Sequence, residues 1–440
     1  MLERTLLAEL IEWRQREVRQ PIVLNGARQT GKTFLLKNIF YESGKFRCLH
    51  YLDFERDPAL ESIFDDGLSP KSVMTNISLR FGESVNPDED LIVFDEVGSC
   101  SSALHSLKYF SEEMPHAYVV ATGSNIGLLK SFPVGKVETM ELYPLTFAEF
   151  LKATASSHVV EAYTDRLDTS ESHRQLWSAL IDYYYVGGMP GTINQWRSSD
   201  CHLLERVQKV DDMHRNLIDS YTRDFGKYSG AVNAQHIESV LRNIPVQLGK
   251  SIDDSVKRFR FREAIAGKKR YTELRGPIDW LVKAKLASKN YPITHKPRPP
   301  LNVQIKENIF KLFLFDVGLL GHLAGMSYED HRRESTEFKG FVAENFVQNE
   351  LIAQGFGQTY SWEQNQAQIE FVIRNDHGEI VPVEVKSGKR TQAKSLESYM
   401  NRYSPNLAIK LIGARGAKHE SLKTVPLYYA SKLLELTKQT

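Results

Sequence analysis

Apolar side chains recur at helical intervals over the first 20 residues, at Leu2, Leu6, Leu7, Leu10 and Ile11, and the short apolar stretch PIVLNG follows at once. That spacing predicts a helix leading into a buried strand. Further apolar runs come at 48–54 (CLHYLDF), 91–97 (LIVFDEV), 117–123 (AYVVATG) and 137–145 (VETMELYPL), with helical stretches between them. Strands alternating with helices predict a mostly parallel sheet covered on both faces. From 146 to 230 the period is helical throughout, in FAEFLKA, RQLWSALIDYYYVGG and LLERVQKVDDMHRNLIDSYTRDF, and we expect a helical lid there. Residues 231–325 mix helices (HIESVLRNIPVQLG, IDWLVKAKLASK) with KLFLFDVGLL, and helices followed by a short hairpin suit a winged helix. The last hundred residues carry a helix, VAENFVQNELIAQ, then the strand patterns QTYSWEQ, QAQIEFVIRN and IVPVEVKSG, the last two joined by a turn at DHGE.

A chain of 440 residues exceeds the size at which one hydrophobic core stops growing, so several domains are expected. We place them at 1–150, 151–230, 231–325 and 326–440. Hydrophobic residues at 41% and charged ones at 25% are ordinary for a globular protein. The net charge of +1 provides no overall field, so nucleic acid or anionic lipid would have to be held by a local patch. Cys48, Cys100 and Cys201 are few and far apart, with no CxxC pair, which suits a reducing compartment. Charges interrupt the N-terminal helix, unlike a signal peptide, and no run approaches the roughly 20 apolar residues that span a bilayer. A cytoplasmic location with no membrane partner is the expectation.

Gly26-Ala27-Arg28-Gln29-Thr30-Gly31-Lys32-Thr33 satisfies GxxxxGK[ST], directly after a predicted strand and before the helical FLLKNIF that begins at Phe34. Glycines let the backbone N–H groups wrap a chain of phosphates, and the helix N-terminus favours their negative charge. The pattern predicts ATP with Mg2+, Lys32 reaching the β- and γ-phosphates and the Thr33 hydroxyl turned to the metal. The strand LIVFDEV supplies the carboxylates such a site requires: Asp95 for magnesium and Glu96 to orient and deprotonate the attacking water. The next strand ends in Thr122, Ser124 and Asn125, which are placed either to sense the γ-phosphate or, for Ser124 and Asn125, simply to cap the following helix.

With GARQTGKT, VFDEV, ATGSN, YPLTFAEF, YYVGGMPGTI, KLFLFDVGLL, FVAENFVQNEL and VEVKSG in this order, the chain resembles prokaryotic AAA-type ATPases that carry a C-terminal domain of uncharacterised function with a restriction-endonuclease-like core. The resemblance implies an α/β fold: a P-loop AAA-type parallel sheet with the sensor strand between the other two motif strands, a helical lid, a winged-helix region and a C-terminal PD-(D/E)xK-like α/β domain. Members commonly have Gly-Arg before the PLSFxEF-like segment where this chain has Gly135-Lys136. A lysine keeps the charge of a trans-acting arginine and loses its planar fork.

The same resemblance places a second metal site at Glu370 and Glu384, with Lys386 steadying the attacking hydroxide and Glu344 contributed by the preceding helix. Carboxylate oxygens suit magnesium, but members with the fuller motif have aspartate where this chain has Glu370. An exposed Glu–Lys salt bridge on a retained fold is the other reading. The run Lys257, Arg258, Arg260, Arg262, Lys268, Lys269 and Arg270, interleaved with Phe259, Phe261 and Tyr271, is either a nucleic-acid surface or a plain strand with phenylalanines inward. The expected function is an ATP-binding and ATP-hydrolysing switch or motor associated with nucleic acid, with DNA held through the winged-helix and C-terminal domains and a second copy of the chain as candidate partner. The alternatives are an ATP-gated, magnesium-dependent nuclease and a regulatory ATPase whose terminal domains bind a protein.

Overall fold

The computed structural model describes residues 2–124, 126–128, 132–198, 202–250, 258–333, 339–388, 393–419 and 421–438. They form two compact units, one of Glu3–Tyr143 with Lys283–Lys285, the other of Met1–Leu2, Pro144–Val282 and Leu286–Thr440.

In the smaller unit the predicted runs become five strands: β1 (Ile22–Asn25), β2 (Leu49–Asp53), β3 (Leu91–Asp95), β4 (Tyr118–Gly123) and β5 (Glu138–Glu141). Their order is β2-β3-β4-β1-β5 and every pair is parallel. Strands β1 and β3 are buried along their whole length, which is why they read as unbroken apolar runs. Alternate side chains point to opposite faces. Val23, Ile92, Phe94, Val119 and Ala121 pack with Val73, Ile77, Leu107 and Phe110 on one side. Ile22, Leu24, Leu91, Val93 and Val120 pack with Leu10, Trp13, Leu36 and Phe40 on the other. The helix Pro70–Phe81 shows how local chemistry sets limits: Ser69 caps it, Pro70 opens it, and Gly82 ends it at φ 72°. Register brings Asn25 beside Gly123 and Asp53 beside Asp95, so the polar strand ends share one edge of the sheet. Open parallel sheets bind ligands at that edge.

The larger unit begins with helices, including Phe147–Thr154, Ser170–Val186, Pro190–Trp196, Leu203–Ser229, Ala231–Gly249, Phe261–Ala264 and Tyr271–Lys283. It continues into a mixed sheet of eight strands: β6 (Ala287–Ile293), β7 (Lys311–Leu314), β8 (Thr359–Gln364), β9 (Ala367–Arg374), β10 (Ile380–Lys386), β11 (Ala408–Ile412), β12 (Ala417–His419) and β13 (Leu422–Pro426), in the order β12-β13-β11-β10-β9-β8-β6-β7. The hairpin β6–β7 is present, and β6 also pairs in parallel with β8, from Asn290 opposite Thr359 to Ile293 opposite Trp362. An unpaired strand edge is a ready template for another strand. The hairpin expected as a wing is therefore the rim of the terminal sheet. Among the described residues of KRFRFR there is no strand: Phe259 is buried, stacked on Phe310 at 6.1 Å, and the chain turns into a short helix at Phe261. Lys257 lies outside the described residues.

Four of the motifs outside the loop Gly26–Gly31 meet in this unit. The Leu145 N–H donates to the Gly188 carbonyl (2.7 Å), and the Gly188 N–H to Asp316 Oδ2 (2.6 Å). Asp316 is fully buried and also caps the helix Val317–Leu323 through the Leu319 N–H (2.9 Å); burial pushes its carboxyl up to about 6. Gly187 holds φ 73°, and a Cβ on it would sit 2.3 Å from Asp316 Oδ1, while one on Gly188 would sit 2.2 Å from the Leu145 oxygen. The paired glycines are thus steric requirements of this junction. From the helix Lys339–Ala353, Glu350 accepts the Phe147 N–H at 2.8 Å. The rings of Phe147, Tyr183 and Phe346 pack edge to face on one another, at 5.7 to 6.3 Å.

Candidate functional site

The loop Gly26–Gly31 leaves β1 and enters a helix at Lys32. A Cβ on Gly26 would lie 2.3 Å from the Leu142 carbonyl oxygen, so only glycine lets the loop lie this close to its neighbour. Gln29 at φ 64° and Gly31 at φ 96° turn the backbone through left-handed conformations. The Thr30 hydroxyl donates to the Ala27 carbonyl (2.9 Å), and Arg4 reaches in from the N-terminal segment to the Thr30 carbonyl (2.9 Å). Lys32 is buried, its ammonium donating to the carbonyls of Gly26 (2.9 Å) and Ala27 (3.0 Å). Burial pushes its pKa down, opposed by the charges of Glu96 and Asp95. The following helix widens to π winding over Leu35–Phe40, a form that clusters near functional sites. Phe34 stands 47% exposed on its first turn.

Asp95, at the end of β3, is the hub of the edge. Its Oδ2 accepts the Thr33 hydroxyl (2.8 Å) and the Tyr51 hydroxyl (2.5 Å), and its Oδ1 accepts the Thr122 hydroxyl and the Glu96 N–H (3.1 Å). Glu96 sits at φ 51°, ψ 52°, a conformation unusual for any residue but glycine or asparagine. That twist turns its carboxylate to the end of β4, where Oε2 accepts from the Ser124 N–H (3.3 Å) and hydroxyl (3.5 Å). Burial raises the Glu96 pKa, partly offset by the Lys32 charge. Asn125 lies outside the described residues.

Residues 18–151 match the family model of an AAA domain. The N-terminal part of the chain is thus similar to AAA domains. Two further models match, both of domains of unknown function: DUF8612 over 178–330 and DUF4143 over 339–431. No curated protein matches the chain. Solved structures similar to it include Drosophila ORC bound to DNA, at 11% identity over 72% of this chain and 84% of that one, with a TM-score of 0.26. AMPPCP-bound DnaA from Aquifex aeolicus is another, at 13% identity over 64% of this chain and 87% of that one, again with a TM-score of 0.26. Overlays this loose carry no argument about function.

In the five-stranded sheet β4 lies between β1 and β3, as the resemblance implied. The residues fit a magnesium nucleotide: a glycine-lined loop, a buried ammonium beside it, and the Thr33 hydroxyl against a carboxylate whose hard oxygens suit the metal. Tyr51 and Arg4 escaped the sequence pattern. Tyr51 sits two residues before the end of β2, where only the pairing of β2 with β3 shows that it faces Asp95. Arg28 pairs with Glu55 at 3.5 Å, and Lys136 pairs with Glu112 at 2.9 Å. Among the described residues no helix is long and apolar enough to cross a membrane.

Glu344, Glu370, Glu384 and Lys386 do gather in the larger unit. The Lys386 ammonium lies 2.9 Å from Glu384 Oε1 and 4.0 Å from Glu370 Oε1. Glu384 Oε2 accepts the Leu396 N–H (3.1 Å) and Glu370 Oε2 the Val385 N–H (2.9 Å). Glu344 pairs instead with Lys311 of β7 at 3.0 Å, a residue the sequence reading passed over. Among the described residues no group of three or more acidic, histidine or cysteine side chains is arranged to hold a metal.

Proposed function

We propose that this chain binds ATP with magnesium at the loop Gly26–Thr33, hydrolyses it with Glu96 as base, and uses the cycle as a switch for its remaining domains. The observation that carries the reading is the convergence of Lys32, Thr33, Asp95 and Glu96 at one sheet edge. Bound magnesium would draw charge from the γ-phosphate as it leaves. Lys32, already desolvated, exchanges two loop carbonyls for phosphate oxygens and gains by being charged. Asp95, fixed by Thr33, Tyr51 and Thr122, keeps its oxygens turned toward the metal position. Glu96, with its pKa raised by burial, is suited to take a proton from water, and Ser124 orients its carboxylate. Calorimetry with Mg-ATP should show a saturable site that Lys32→Ala weakens by tenfold or more, about 1.4 kcal/mol for each factor of ten. A wild-type protein that releases no heat, together with an unchanged Lys32→Ala isotherm, would end the proposal.

The larger unit is where we place the nucleic acid. A cleft of about 560 Å3 is lined by Phe261, Lys269, Arg270, Tyr271, Thr272, Glu307 and Asn308, and its one carboxylate, Glu307, is paired with Arg275 at 3.0 Å. Lys269 and Arg270 are exposed, and their backbone N–H groups donate to Glu273 (2.9 and 2.8 Å). Cations beside aromatic faces suit phosphates flanking a base. Replacing both by alanine should weaken DNA binding by anisotropy and lower the slope of log K against log salt by about two. An unchanged slope would remove DNA from this cleft.

A further inference from the structure

The carboxylates of the terminal sheet are met by cations of this chain itself. The helix Lys339–Ala353 is fastened to the hairpin β6–β7 along one face. Asn345 exchanges two hydrogen bonds with the backbone of Leu314, both 2.9 Å, and Gln348 bridges Ser288 of β6 (2.9 Å) and Thr359 of β8 (2.8 Å). One turn earlier Glu344 meets Lys311, which is only 8% exposed. A buried ammonium without a counter-charge is strongly disfavoured, so Glu344 cannot turn to a metal without stranding Lys311. Lys386 answers Glu384 and Glu370 in the same way, and the N–H groups of Leu396 and Val385 occupy the remaining oxygen of each. Magnesium asks for near-octahedral oxygen ligation, which these commitments leave incomplete.

We infer that Lys311 and Lys386 are the resident cations of this cluster, and that it anchors the β6–β7 hairpin to the terminal sheet without a metal. Lys311 is the deciding residue, because it comes from outside the strand pair that carries Glu370, Glu384 and Lys386. Mn2+ titrated calorimetrically into the full chain without nucleotide tests this, since any binding at the ATP site is common to all variants compared. Wild type and Glu384→Gln should give the same isotherm. Lys311→Met should gain one further Mn2+ site, and adding Glu384→Gln to it should remove that site. A Mn2+ site in the wild type that disappears in Glu384→Gln overturns the inference, and so does a folded Lys311→Met that gains none. Should Lys311→Met not fold, Lys311→Gln takes its place. The comparison of wild type with Glu384→Gln needs no Lys311 variant, and Glu344→Gln replaces Glu384→Gln if that variant is unstable.

Discussion

Replacing Glu96 by glutamine is expected to cut ATP turnover by about 10²- to 10⁴-fold while leaving nucleotide affinity nearly intact. Glutamine has the size and polarity of glutamate and can still accept from the Ser124 N–H, so the strained turn at φ 51° and its neighbours persist. What it cannot do is take a proton. Burial raises the pKa of Glu96 toward the operating range, where a base is both deprotonated and strong enough to act. The contrast with Lys32→Ala is diagnostic, since that change removes the ammonium from the loop and should appear first in binding. Phosphate release under saturating Mg-ATP, set beside calorimetric affinity, separates the two. Turnover within a few fold of wild type in Glu96→Gln would assign the proton to another acceptor.

Glu350→Gln is expected to remove a pH-dependent loss of stability of a few kcal/mol. Burial pushes the Glu350 carboxyl up to about 8. One oxygen accepts the Phe147 N–H, and the other has no hydrogen-bond partner among the described residues. In the unfolded chain the same group ionises near its ordinary value of 4.5. Between about 4.5 and 8 the folded state therefore holds a proton that the unfolded state releases, and stability falls as pH rises. Above about 8 both states are ionised and the loss levels off. Glutamine is neutral throughout and still accepts from Phe147. The melting temperatures of wild type and variant should lie closest near pH 5 and diverge toward pH 8, with the variant higher. Parallel curves would show that Glu350 does not titrate as described. Asp316, pushed up to about 6, contributes the same direction over its lower window in both proteins.

The glycine-lined loop Gly26–Gly31 and the strands that flank it were legible because their determinants are local. A glycine at a close approach, a lysine and threonine at a helix start, and a strand buried on both faces each leave a mark within a few residues. The sheet edge that unites Asp53, Asp95 and Gly123 follows once five parallel strands are in register. Strands β11 to β13 did not stand out: AIKLI is a fully buried run of five, and a run that short has no period of its own to separate strand from helix.

Partnership across long stretches of chain emerged only on folding. Tyr51 joins Asp95, Asp316 joins Gly188 and Lys311 joins Glu344 across 44, 128 and 33 residues of chain. A side chain's own spacing says which face of its element it occupies but not which distant element will cover that face. Gly187 and Gly188 of YYVGGMPGTI thus proved to be a socket for a buried aspartate. Glu344 likewise read as a metal ligand, since its sequence could not say that a lysine from a hairpin strand would reach it. Spacing along the chain was enough to expect a loop at Gly26–Thr33 that wraps phosphates. The folded chain determined which charges are already answered from within, because counter-ions are chosen by distance in space.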